Sequence, residues 1–111
     1  MDLEIKKWLK DIELAISEIN SFFPEKKVFS EFQNDVKSRK AVERNIEIIG
    51  EALSRILKIK PDIRISDARR IVDTRNRIIH GYDSISAEVI WFIMIRNLQV
   101  LEREVKELLD S

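Results

Sequence analysis

Asp73-Thr74-Arg75-Asn76-Arg77-Ile78-Ile79-His80-Gly81-Tyr82 holds the only histidine and the only tyrosine of the chain, with two arginines close by. The stretch reads as the end of a helix. Ile71 and Val72 lead into it, and Ile78 and Ile79 continue them at helical spacing. Gly81 is the residue type that adopts the left-handed conformation closing a helix. On such a helix Asn76 and His80 share a face, as do Arg75 and Ile79. Arg75 lies about 140° around the axis from His80, so both reach one groove if the last turn loosens at Gly81.

The chemistry available to these residues is specific. His80 sits at the negative end of the helix dipole, which favours a cationic imidazole. A guanidinium beside it grips a phosphate at two points. Together they suit RNA backbone cleavage, in which the 2′-hydroxyl attacks its own phosphate while one group removes a proton and another supplies one. With one histidine per chain, a two-histidine acid–base mechanism requires a symmetric dimer that brings two His80 and two Arg75 to one cleft. No metal or cofactor is expected, because there is no second His, no Cys and no Asp-x-Asp cluster. The plainer alternative is capping alone. His80 would then satisfy helix carbonyls, Arg75 and Arg77 would complement the dipole and pair with Asp73, and Tyr82 would be a core residue.

The motif helix is expected over Ala68 to His80, with Ser66 as N-cap and Asp67 in its first turn. Upstream of Pro61, Phe32, Val36, Val42, Ile46, Ile49, Leu53, Ile56 and Leu57 trace one stripe. They predict a single long helix to Lys58, irregular near Ser38-Arg39-Lys40, opened by a Ser30/Gln33 capping box. Gly50 within it invites close approach of a neighbouring helix, from the same chain or a second subunit. Glu43, Glu47 and Glu51 share one face of this helix, either as a solvated stripe or as counter-charges to the motif arginines. The opening segment, Asp2 to about Phe23, is an amphipathic helix capped by Asp2, and Trp8 is expected in the core or a dimer seam. Ser86 caps a final helix that is apolar on all sides from Ile90 to Ile95, more than one core face requires, so part of it is expected to meet a second subunit.

Composition sets the frame. At 111 residues, 44% hydrophobic and 36% charged, with two Gly and two Pro, the chain is expected to be one all-α domain over residues 1–111. The expected architecture is four or five helices, antiparallel neighbours joined by short links. The absence of cysteine points to a reducing cytoplasm, and no apolar run is long enough to span a membrane. Twenty basic and twenty acidic residues cancel, so RNA binding must come from a local basic cluster.

Arg75 to Tyr82 resembles the signature of the HEPN superfamily, in which an Arg followed by a polar residue precedes a His. It looks specifically like the HepT toxin branch, which adds a Tyr two residues after the His. Lys40 to Ala52 resembles that branch's long second helix, and the aromatic-rich helix near Trp91 resembles its last one. The resemblance implies a four- to five-helix antiparallel bundle forming a homodimer, with both motifs lining one cleft. It implies a metal-independent endoribonuclease, the toxin of a toxin–antitoxin pair, with Arg75 and His80 catalytic and Asn76 positioning them. Tyr82 would be the residue to which a minimal nucleotidyltransferase antitoxin attaches AMP. The reading from a different class is a non-catalytic nucleotide-binding or accessory subunit of that nucleotidyltransferase.

Overall fold

The structure is a computed structural model that describes residues 1–80 and 86–111. The described residues are helical, with no strand among them. In order they form α1 (Leu3–Ser21), α2 (Phe29–Asn34), α3 (Val36–Ile59), α4 (Ala68–His80), α5 (Ala87–Phe92), a π-helical turn (Ile93–Asn97) and α6 (Leu98–Asp110). The Cα extent along the shortest axis is 18 Å, the depth of two helical layers.

Local chemistry explains where the helices start. Asp2 caps α1 by accepting from the amides of Glu4 at 2.7 Å and Ile5 at 3.4 Å. Instead of one helix from Ser30 to Lys58, the chain breaks at Asp35, whose φ of −104° and ψ of 92° are extended. The Asp35 carboxylate accepts from the amide of Ser38 at 3.1 Å and from its hydroxyl at 2.7 Å, and so begins a new helix. The apolar stripe falters near Ser38 for this reason. The expected Ser30/Gln33 capping box does not form. Helix α2 opens two residues earlier, after Val28, without a side-chain cap, and Ser30 lies inside it.

Helix α3 is the centre of the bundle, packed along its length by α1 on one side and α4 on the other. Its buried stripe of Val42, Ile46, Ile49, Leu53 and Ile56 is completely removed from solvent. Leu9, Ile12 and Ile19 of α1, Ile71 of α4 and Leu101 of α6 close over it. Each such side chain contributes about 1.5–3 kcal/mol on burial, so this apposition holds α4 in register. Phe23, Phe29 and Phe32 surround the half-buried Trp91, with ring centroids 5.5–6.3 Å apart, and attach α5 to α2.

The start of α4 is fixed from α6 and the π turn. Ser66, expected as the helix cap, gives its amide and hydroxyl to the Glu104 carboxylate of α6 instead. Asp67 accepts from Asn97 Nδ2 at 2.8 Å. Asn97 belongs to the π turn, whose extra residue per turn directs this buried amide toward α4. The interruption was not visible in the apolar run. Of the excess apolar surface there, Phe92 is 48% exposed while Ile93 and Met94 are in the core. Among the described residues no helix is long and apolar enough to cross a membrane.

Candidate active site

Arg75 lies on the face of α4 that meets α3, and a glycine makes room for it. A Cβ built on Gly50 would come within 2.7 Å of Arg75 Cγ and closer still to its Cβ. The close approach expected at Gly50 is therefore made by a neighbouring helix of the same chain. It delivers the root of the Arg75 side chain directly against the α3 backbone.

From there the guanidinium is gripped at both ends. Its Nη2 donates to Glu51 Oε2 in a very short ion pair, and its Nη1 donates to Asn76 Oδ1 at 2.7 Å. The other Glu51 oxygen accepts from Arg55 Nε at 3.0 Å. Asn76 thus holds one end of the Arg75 guanidinium. The Arg75 side chain is 22% exposed and that of Glu51 40%, so water screens the pair and its net contribution is about 1 kcal/mol or less.

Arg75 opens into a groove of about 360 Å³ between α1, α3 and α4. Lys7, Trp8 and Asp11 contribute from α1, Arg44, Glu47, Ile48, Glu51 and Arg55 from α3, and Ile79 beside Arg75 from α4. Lys7, Arg44, Arg55 and Arg75 stand against Asp11, Glu47 and Glu51 on the wall, so the groove is close to charge-balanced. Trp8 packs partly on the core and shows its remaining surface here. Ile48 and Ile79 are exposed at the lip.

The other expected site residues sit differently. His80 is the last residue of α4 and is exposed. It is not among the described residues lining the Arg75 groove within one chain. Gly81 and Tyr82 lie outside the described residues. Of the three glutamates on one face of α3, only Glu51 meets a motif arginine. Glu47 pairs with Arg44 at 3.1 Å. Glu43 lines a separate small groove with Arg39, where desolvation by burial raises its pKa, partly offset by the Arg39 charge. Sequence spacing placed Glu51 on the correct face without selecting it. The selecting signal is Gly50, which fixes the turn of α3 that Arg75 reaches. Lys7, Trp8 and Asp11 carried no such signal, because their presence depends on how α1 is laid over α3.

Comparison with known proteins bears on this geometry. The family model described as Ribonuclease HepT-like matches residues 12–108. A Methanocaldococcus jannaschii protein named "Putative RNase MJ0127" is 30% identical over 97% of this chain and 89% of its own length. A Thermococcus cleftensis protein named "Probable ribonuclease HepT" is 32% identical over 93% of this chain and 94% of its own. A Caldanaerobacter subterraneus protein named "Putative RNase TTE0752" is 31% identical, with 75% of each chain covered. No solved structure matches the chain.

Proposed function

Because the chain belongs to the HepT-like ribonuclease family, we propose that it is a metal-independent endoribonuclease whose cleft is assembled from Arg75 and His80 of two copies. The observation that carries this reading is Arg75 itself: a partly exposed guanidinium, oriented by Asn76 and Glu51, at the wall of an open groove. Each chain brings one histidine, so the acid and the base come from different subunits. One imidazole accepts the proton of the 2′-hydroxyl, whose oxygen attacks the adjacent phosphorus. The partner's His80 gives a proton to the departing 5′-oxygen as its bond to phosphorus breaks. The products are a 2′,3′-cyclic phosphate and a free 5′-hydroxyl. Arg75 neutralises charge growing on the phosphoryl oxygens. Exposed Ile48 and Ile79 beside the groove support a second copy as its cover.

In the same reading the chain is the toxin of a toxin–antitoxin pair. Its antitoxin is a minimal nucleotidyltransferase that transfers AMP to Tyr82. Tyr82 follows His80 by two residues, so the added phosphate lies close to the cations that hold RNA and competes for them. The test is incubation of the purified chain with defined RNAs in EDTA. Wild type cleaves, while Arg75→Ala and His80→Ala lose at least about a hundredfold, as for removal of an acid–base or charge-stabilising group. Retained cleavage by His80→Ala overturns the proposal. The engagement of Arg75 by Glu51 within one chain favours a second reading, an accessory subunit that presents Tyr82 to the nucleotidyltransferase. Under that reading RNA stays uncut at every salt and pH, while Tyr82→Phe removes AMP incorporation.

A further inference from the structure

The three arginines on the wall of the Arg75 groove, Arg44, Arg55 and Arg75, are each paired with Glu47 or Glu51, and the chain as a whole has no net charge. A polyanion therefore needs its attraction from somewhere else. A second groove of about 420 Å³ lies between α1 and α6, where Lys6, Lys7 and Lys10 of α1 face Lys106 of α6. All four lysines are exposed. Its acidic residues are Glu13 and Asp110. Lys10 reaches Glu13 at 3.5 Å and Lys106 reaches Glu102 at 3.9 Å, long contacts between exposed groups that a phosphate displaces at little cost. Among the described residues, Lys6 and Lys7 enter no ion pair with a carboxylate. Lys7 lines both grooves and joins the basic one to the one that holds Arg75.

We infer that the α1–α6 groove is a track for the backbone of single-stranded RNA, with Lys7 passing the strand to Arg75. This deepens the ribonuclease reading and rests on it. The lysines provide point charges without base-edge donors in fixed geometry, so the track binds phosphates with no sequence preference. Leu3, 82% exposed, and Leu109 beside the lysines are also the composition of a membrane-surface patch. Continuity with the Arg75 groove favours RNA, because a bilayer has no use for that connection.

The test measures fluorescence anisotropy of a labelled 2′-O-methyl RNA of about 20 nucleotides, which cannot be cleaved through its 2′-oxygen, across a salt series. Lys6→Gln/Lys7→Gln/Lys10→Gln is compared with wild type and with Lys26→Gln/Lys27→Gln on the α1–α2 connection, each checked for helicity by circular dichroism. The α1 triple variant is expected to bind at least tenfold more weakly. Its log K against log salt slope should be shallower by about 2, near 0.7 for each lost phosphate contact. The Lys26/Lys27 variant should match wild type. Equal affinity and slope for the triple variant overturns the track, and so does an equal loss in the Lys26/Lys27 variant. The inference also falls if the triple variant keeps its RNA affinity but loses sedimentation with vesicles of equal phosphatidylserine and phosphatidylcholine. Cleavage of unmodified RNA is scored separately. Weaker binding by the triple variant with no cleavage by wild type supports the track and removes the nuclease, whereas cleavage with unchanged binding does the reverse.

Discussion

Gly50 and Arg75 are in contact across the α3–α4 interface so closely that any β-carbon on Gly50 overlaps the first two side-chain carbons of Arg75. These carbons are tethered to the α4 backbone and cannot swing aside. Gly50→Ala therefore gains up to about 1 kcal/mol of helix propensity and loses about 1–3 kcal/mol to overpacking, with the clash prevailing. The variant should unfold at lower denaturant concentration than wild type and lose RNA cleavage even where it is folded, since Arg75 is pushed away from Asn76 and Glu51. An unchanged urea midpoint would show that the helices part freely.

The Arg75–Glu51 pair sets a second expectation. Glu51→Gln retains an oxygen to accept from Arg75 and removes the charge that competes with phosphate. At partial exposure such a pair contributes about 0.2–1 kcal/mol, so the variant should bind 2′-O-methyl RNA up to about fivefold more tightly. Glu51→Ala also removes the acceptor, and its single-turnover cleavage rate should fall. Weaker binding by Glu51→Gln would show that the carboxylate assists RNA rather than opposing it.

Ile48 and Ile79 test the assembly. Replacing either with Asp places a charge on the exposed apolar lip of the Arg75 groove. Wild type is expected to sediment as a dimer, and Ile48→Asp/Ile79→Asp as a monomer that has lost cleavage but not helicity. A monomeric wild type that cleaves RNA would exclude the two-histidine cleft.

Asp35 gives a prediction about local order. Its hydrogen bonds from the Ser38 hydroxyl, and then from the Ser38 amide, lower its carboxyl pKa. The depressed folded value means the cap is fully present above the ordinary carboxylate range, near pH 4. It is lost as pH falls through the folded pKa. Amide exchange at the start of α3 should accelerate under acid, and Asp35→Ala should show that faster exchange already at neutral pH.

Glu43 has the opposite sign. Desolvation raises its pKa despite the opposing Arg39 charge, so its ionised form is less favourable in the folded chain than in the unfolded one. The penalty is complete above the folded pKa and disappears as pH falls below the unfolded one. Glu43→Gln is expected to raise the thermal midpoint at pH 7, with the gain fading to nothing below about pH 4. A gain that does not change with pH would assign the effect to packing.

Helices whose ends rest on local chemistry are readable from residue order alone. The α1 cap at Asp2 and the Ser86 cap, which accepts from Val89 at 3.2 Å, both follow from residues a turn apart. The motif around Arg75 was also legible, because one unbroken α4 carries it. Spacing alone did not reveal the break at Asp35, the π turn at Ile93–Asn97 or the tether of Ser66 to Glu104. Each depends on a competitor for a backbone or side-chain group, and the Ser66 tether comes from a residue far along the chain. The choice of Glu51 over Glu43 and Glu47 likewise waited for the tertiary fold. Periodicity assigns a residue to a face, but only the Gly50 contact fixes which turn of α3 lies opposite Arg75.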